Sequence, residues 1–305
     1  RLYEIQNGTS TELDGPNLGI TVSGAEELNM GNPDTLRHFI QDVQDLAGGN
    51  YFLILWNHGD GWRGGEEVPG YKAVGIDESN GDDWLYTAEL PAGISGLGID
   101  LVGFDACLEA MTEVGYEIRG HAQVMVASQE TEPFDGWEYT GLLSDFMAGG
   151  DTSPAAFGII AADTYMDSYP TSNDVTQSVL DLTRMDDLAT ACDDMATALS
   201  GMANSDWNQL CNEQEEFGGW YDSFVDLYHL AETAKARDAA NAAAYDAVMA
   251  VLDDLILYAR YGTGHPNANG LSIYFECNST PSSDYDATNI QWAADTGWDE
   301  MLDAH

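Results

Sequence analysis

The run at residues 51–56 is apolar at every position and leads directly into Asn57, His58 and Gly59. So short and uniform a run has neither the period of an amphipathic helix nor the alternation of a half-covered strand. It predicts a strand buried on both faces, as parallel strands are. Further strands are predicted at 99–104, ending at Asp105, Ala106 and Cys107, and at 123–128. Residues 108–119 read as a helix between them. Pro33 opens another, in which Leu36, Phe39, Ile40, Val43 and Leu46 recur at steps of three and four until Gly48 and Gly49 stop it. Strand, helix and strand repeated in this way predict a doubly wound, mostly parallel α/β sheet flanked by helices, with sites at the carboxyl ends of strands.

The flanking segments fill out this plan. Residues 1–6 read as a short strand running into a loop through Gly24, 154–166 as a helix and 175–182 as a strand. Helical periodicity covers 185–202 and 221–261, and 271–275 is expected to rejoin the same sheet. The expectation is one domain over 1–305 with a helical insertion at about 184–262.

Charge excludes one class of partner. The chain carries 53 acidic residues against 9 basic ones, a formal net charge of −44, and its only lysines are Lys72 and Lys235. Nothing is present to build the basic patch that nucleic acid requires. So many carboxylates repel one another unless salt is high, where the Debye length falls to about 3 Å, which points to a saline environment. No stretch of about 20 apolar residues predicts a membrane span. Because the chain starts at Arg1 rather than Met, the reading is of a processed form or a fragment. The four cysteines have neither zinc-ligand nor disulfide-framework spacing. Cys192 and Cys211 are the candidates for a bridge, with two buried thiols as the alternative.

The chemistry centres on two blocks, Asn57-His58-Gly59-Asp60-Gly61-Trp62 and Gly103-Phe104-Asp105-Ala106-Cys107-Leu108. A cysteine at a strand-to-helix junction suits nucleophilic work, because a helix N-terminus lowers the thiol pKa and local backbone amides can receive an oxyanion. A histidine about 50 residues upstream of an Ala-Cys nucleophile matches the caspase spacing. Asp105 could instead serve as N-cap of the following helix. Trp62, Trp84 and Trp137 either line a cleft or pack loops.

These two blocks, together with the segments at 127–133 and 270–275 and the pair Gly136-Trp137, resemble the clostripain family of cysteine peptidases. That family shares a caspase-like fold with gingipains, legumains and separase. The resemblance implies an endopeptidase in which Cys107 attacks the scissile carbonyl, His58 protonates the departing amine, and the N–H groups of Gly59 and Cys107 form the oxyanion hole. It implies that Asp105 floors a primary specificity pocket for Arg or Lys, with Asp135 as a second acid. It also implies self-cleavage after Lys72, with Arg63 as runner-up, in the loop between histidine and cysteine. No cofactor is required for the chemistry. Some relatives require calcium, but no segment matches an EF-hand loop. The family usually opens with a further strand and helix, so a separate N-terminal fragment is an expected partner, and a secreted protein is the expected setting. Two other functions compete: a binding or scaffold module that keeps the fold without turnover, and a transpeptidase using the same dyad.

Overall fold

The computed structural model describes residues 1–62, 74–219, 223–277 and 280–305. An antiparallel hairpin of β1 (Leu2–Gln6) and β2 (Thr9–Leu13) precedes helix α1 (Pro33–Leu46) and strand β3 (Phe52–Trp56). The start of α1 is set locally: Asn32 caps it by accepting the N–H of Asp34, and Pro33 fills the first helical position. The two-residue strands β4 (Ile76–Asp77) and β5 (Asp83–Trp84) pair with each other. There follow α2 (Leu90–Ile94), β6 (Leu101–Asp105), α3 (Thr112–Ile118), β7 (Val124–Ala127), α4 (Tyr139–Gly149), α5 (Pro154–Ser168) and β8 (Thr176–Asp181). Then come α6 (Met185–Ser200), α7 (Asn204–Cys211), β9 (Phe224–Asp226), α8 (Leu227–Arg237) and α9 (Ala242–Leu255). The chain ends with β10 (Ile256–Tyr261), β11 (Ser272–Tyr274), α10 (Gln291–Asp295) and α11 (Trp298–Asp303).

The central sheet has the order β10-β8-β7-β6-β3. β3, β6 and β7 are parallel, whereas β8 runs against both β7 and β10. Where one helix separates β6 from β7, two helices, α4 and α5, separate β7 from β8, so the chain re-enters the sheet from the other end.

Alternation along the strands divides the interior into two cores. Leu101, Val124, Val126 and Val179 face Phe157, Ala161 and Tyr165 of α5. Val102, Phe104, Met125, Ala127 and Leu180 face Val114 of α3 and Met185 and Leu188 of α6. Helices thus cover both faces, and each fully buried aliphatic or aromatic side chain contributes about 1.5 to 3 kcal/mol.

Several expectations are corrected. β3 is an edge strand, only partly covered, with Trp56 67% exposed. An all-apolar run fits such a position because α1 and the loops beside it cover part of what a neighbouring strand would. The helix after Cys107 starts at Thr112, not Leu108. Residues 256–261 form β10 rather than continuing a helix, and it is β10 that rejoins the central sheet. β11 pairs instead with β9, a strand that helical periodicity hid. The disulfide joins Cys211 to Cys277, while Cys192 is a buried free thiol. Spacing misled here, because residues 66 apart meet at the end of α7.

Candidate active site

Strands β3 and β6 pair in parallel with Trp56 opposite Asp105. Neighbouring strands lie about 4.8 Å apart, so His58 and Cys107, each two residues further on, leave the sheet side by side. Both line one cleft of about 440 Å3, together with Trp56, Asn57, Asp105, Glu132, Pro133 and Phe134. His58 is exposed, and Cys107 is half-buried.

The chain turns at Cys107 and Leu108 and runs on as an irregular segment before α3 begins at Thr112. Leu108 donates its N–H to Glu130 O at 3.2 Å, and Ala110 donates to Ser128 O at 2.9 Å, so the segment rides on the chain leaving β7. Leu108 adopts a left-handed φ of 64° with its side chain buried, a conformation that costs a branched residue about 1 to 2 kcal/mol. That strain sits beside the candidate nucleophile.

The histidine loop is clamped to this segment. Gly59 is buried, and a Cβ there would run into the Cys107 carbonyl oxygen and lie 2.7 Å from Glu109 Oε1, so a side chain at this position would hold the two loops apart. Glu109, fully buried, accepts the N–H groups of Asp60 and Gly61 with Oε1. Burial pushes its carboxyl well above the usual range.

The environment of the thiol differs from expectation. Glu132 donates its N–H to Cys107 Sγ at 3.3 Å, and its carbonyl oxygen lies 3.8 Å from the same sulfur as acceptor. Burial pushes the Cys107 thiol up from its ordinary value, and the nearby acids Glu132, Glu109 and Glu130 push it further, against the lowering effect of the Glu132 N–H. The expected lowering by a helix N-terminus is absent, because α3 starts five residues beyond the sulfur and acids surround it. These surroundings favour the neutral form of the Cys107 thiol.

Asp105 is buried and caps no helix. Its Oδ2 accepts the N–H of Trp137 at 3.2 Å and the hydroxyl of Tyr139 at 2.7 Å, which turns it into the cleft. Gly136 makes room for it: with φ at 64°, a Cβ there would sit 2.7 Å from Asp105 Oδ1. Asp135 is exposed and does not line the cleft. Lys72 and Arg63 lie outside the described residues. Trp62, Trp84 and Trp137 are buried and pack loops; the aromatics at the cleft are Trp56 and Phe134, the latter 93% exposed.

Glu109, Glu132, Trp56 and Phe134 were missed by sequence reasoning. Glu132 carried one usable signal, its place on the loop leaving the carboxyl end of β7, the edge where ligands gather in α/β sheets. Among the described residues no group of three or more His, Cys, Asp or Glu gathers to hold a metal. No helix among them is long and apolar enough to cross a membrane.

A family model described as the clostripain family matches residues 10–305. Clostripain from Hathewaya histolytica is 33% identical over 167 residues, covering 50% of this chain and 32% of that protein, so the match spans about a third of the relative's length. A secreted C11 cysteine protease from Bacteroides thetaiotaomicron, solved with an irreversible peptide inhibitor, has a TM-score of 0.74 at 17% identity, with 98% of this chain and 85% of that one covered. An inactive zymogen C11 protease from Parabacteroides distasonis has a TM-score of 0.71 at 20% identity, covering 96% and 82%. At these identities the likeness is one of fold, the caspase-like one.

Proposed function

Because this chain belongs to the clostripain family, we propose that it is a cysteine endopeptidase that cuts after Arg or Lys, with Cys107 as nucleophile and His58 as acid and base. One observation carries the reading: Cys107, His58 and a buried carboxylate, Asp105, line a single cleft at the carboxyl ends of parallel strands.

The neutral thiol gives its proton to His58 as sulfur attacks the scissile carbonyl carbon. The resulting oxyanion is received by the N–H groups of Gly59 and Cys107. His58 then returns the proton to the departing amine, leaving a thioester on Cys107. Water, deprotonated by His58, hydrolyses the thioester and restores the thiol. Asp105 holds the guanidinium or ammonium group of the residue before the cut, an ion pair that survives surface screening because the carboxylate is buried. Self-cleavage after Lys72 belongs to the same reading and rests on position in the chain alone. The disulfide between Cys211 and Cys277 supports an extracellular setting, where such bonds persist.

A second reading, a binding module without turnover, draws on the burial that pushes the Cys107 thiol up. Short Arg, Lys and Ala peptide amides incubated with the protein in molar salt separate the two. Hydrolysis after Arg and Lys, lost in Cys107→Ala and labelled at Cys107 by a basic electrophilic peptide, is the expected result. No hydrolysis of any of them, or undiminished hydrolysis by Cys107→Ala, overturns the endopeptidase.

A further inference from the structure

The floor of the cleft holds a second acid that the sequence motifs do not mark. Glu132 is half-buried as a residue, but its carboxyl is turned inward: Oε2 is closed off from solvent and receives no donor. Oε1 accepts the indole N–H of Trp137 at 3.4 Å and the side-chain amide of Gln177 at 3.2 Å. Trp137 serves both acids, giving its backbone N–H to Asp105 and its indole N–H to Glu132, so the two carboxyls lie close together. An ionised oxygen buried without a donor is costly. Asp105 Oδ2 takes two donors, from Trp137 and Tyr139, whereas Glu132 Oε2 takes none, which puts the proton on Glu132.

The surroundings reinforce this placement. Facing the pair are Tyr139 of α4, Tyr165 of α5, Tyr169 beyond it, and the Cys107 thiol, with Gln177 from β8; Glu109 and Glu130 act on the same thiol, and His58 shares the cleft. The groups acting on the Glu132 carboxyl are an acid and neutral donors, and burial together with Asp105 pushes it well above the usual carboxylate range. Two like charges in contact in a low-dielectric site cannot both persist without a cation.

We propose that Glu132 is a second specificity residue of the pocket floored by Asp105, protonated while the pocket is empty and ionised when a substrate's guanidinium or ammonium group enters. The inference rests on the endopeptidase reading. The balance is simple: the Glu132 acid and a cationic side chain become a carboxylate-cation pair, and one proton leaves to solvent. A neutral side chain offers nothing to offset the second negative charge, so the proton stays and the pocket presents an acid hydroxyl instead. Selectivity for a basic residue then comes from a second carboxylate that forms only in its presence, and binding tightens as pH rises.

The test uses the full chain with Cys107→Ala, which binds without turnover, and a short Arg-terminated peptide amide. Calorimetry at pH 6 to 7 in buffers of different ionisation enthalpy reads protons released. About one proton released per peptide bound, lost in the Cys107→Ala/Glu132→Gln double variant, is the expected result. In the active chain, Glu132→Gln should lower kcat/KM for Arg amides about 10-fold to 100-fold, chiefly through KM, and flatten the pH dependence of KM. Glu132→Asp, which keeps an acid, should retain the pH dependence. In the active chain, alkylation of Cys107 by neutral iodoacetamide reports whether Glu132→Gln and Glu132→Asp keep the cleft. No proton release, with kcat/KM unchanged in Glu132→Gln, overturns the role of Glu132 while hydrolysis by the unsubstituted protein leaves the endopeptidase standing. Failure of the unsubstituted protein to cleave or bind any basic peptide overturns both.

Discussion

The carboxyl of Glu109 accepts the backbone N–H of Asp60 at 3.2 Å, tying the segment that follows Cys107 to the loop that carries His58. The same oxygen takes the N–H of Gly61 at 3.2 Å. Register in the sheet sets His58 and Cys107 on adjacent strands, and this bond fixes the loops beyond the strands, where register no longer acts.

Glu109→Ala leaves two buried N–H groups without their acceptor. It should cost about 2 to 4 kcal/mol of stability and lower kcat well beyond its effect on KM. Glu109→Gln keeps an amide oxygen in the same place, and burial, which pushes the native carboxyl well above the usual range, favours its neutral form. That variant should retain most of its stability in denaturant titration and most of its activity. Equal damage from both substitutions would contradict the clamp.

Gly59→Ala tests the approach of the two loops from the other side. A methyl group there meets the Cys107 carbonyl oxygen and Glu109 Oε1, so the loops must part. Steady-state kinetics should show a loss of kcat of about 100-fold, the scale expected when a catalytic pair is displaced by about 1 Å. Activity near that of the unsubstituted chain would show that the loops tolerate separation.

The thiol of Cys107 is pushed above its ordinary value by burial and by Glu132, Glu109 and Glu130. A raised thiol pKa lowers the thiolate fraction at neutral pH. Alkylation by iodoacetamide, followed by mass spectrometry at this residue, should be slow at pH 7 and climb with a midpoint above pH 9. A midpoint below pH 8 would mean that the thiolate is already formed at rest.

Glu113 is buried and accepts the N–H of Tyr274 at 2.9 Å and the hydroxyl of Tyr285 at 2.8 Å; burial raises its pKa to about 7. In the unfolded chain it ionises near pH 4.5, so between these values the folded state holds the extra proton and stability falls as pH rises. The loss from this group is about 2 to 3 kcal/mol across that interval. Relative to Glu113→Gln, the native chain should lose stability between pH 5 and 7 in denaturant titrations, and parallel pH profiles would remove the assignment.

The disulfide from Cys211 to Cys277 closes a loop of 66 residues. Loop-closure entropy gives it about 4 kcal/mol, so Cys277→Ser should lower the unfolding midpoint measurably, whereas Cys192→Ser, at a buried free thiol, should not share that loss.

Much of the fold was legible in the chain. The pattern at 51–56 and 99–104 announced strands, the steps of three and four after Pro33 announced α1, and the two short blocks announced a histidine and a cysteine at strand ends. Strand direction was not legible: β8, which mixes polar and apolar residues and is buried like β6 and β7, runs against β7 with nothing in its pattern to say so. Nor was the start of α3, because the turn after Cys107 and the residues up to Ala110 are held by hydrogen bonds to residues leaving β7. Glu132 looked like one acid among 53, and only its burial against Asp105 singles it out.

The sequence by itself determined the strands β3, β6 and β7, the helix α1 and which residue types stand at the strand ends, because those signals are periodicities and neighbours along one chain. Tertiary structure alone decided that β8 runs against β7, that the half-buried Cys107 thiol sits among acids, and that Asp105 and Glu132 line one cleft. Burial and electrostatic coupling arise between groups distant in sequence, and no local pattern encodes which of them will meet.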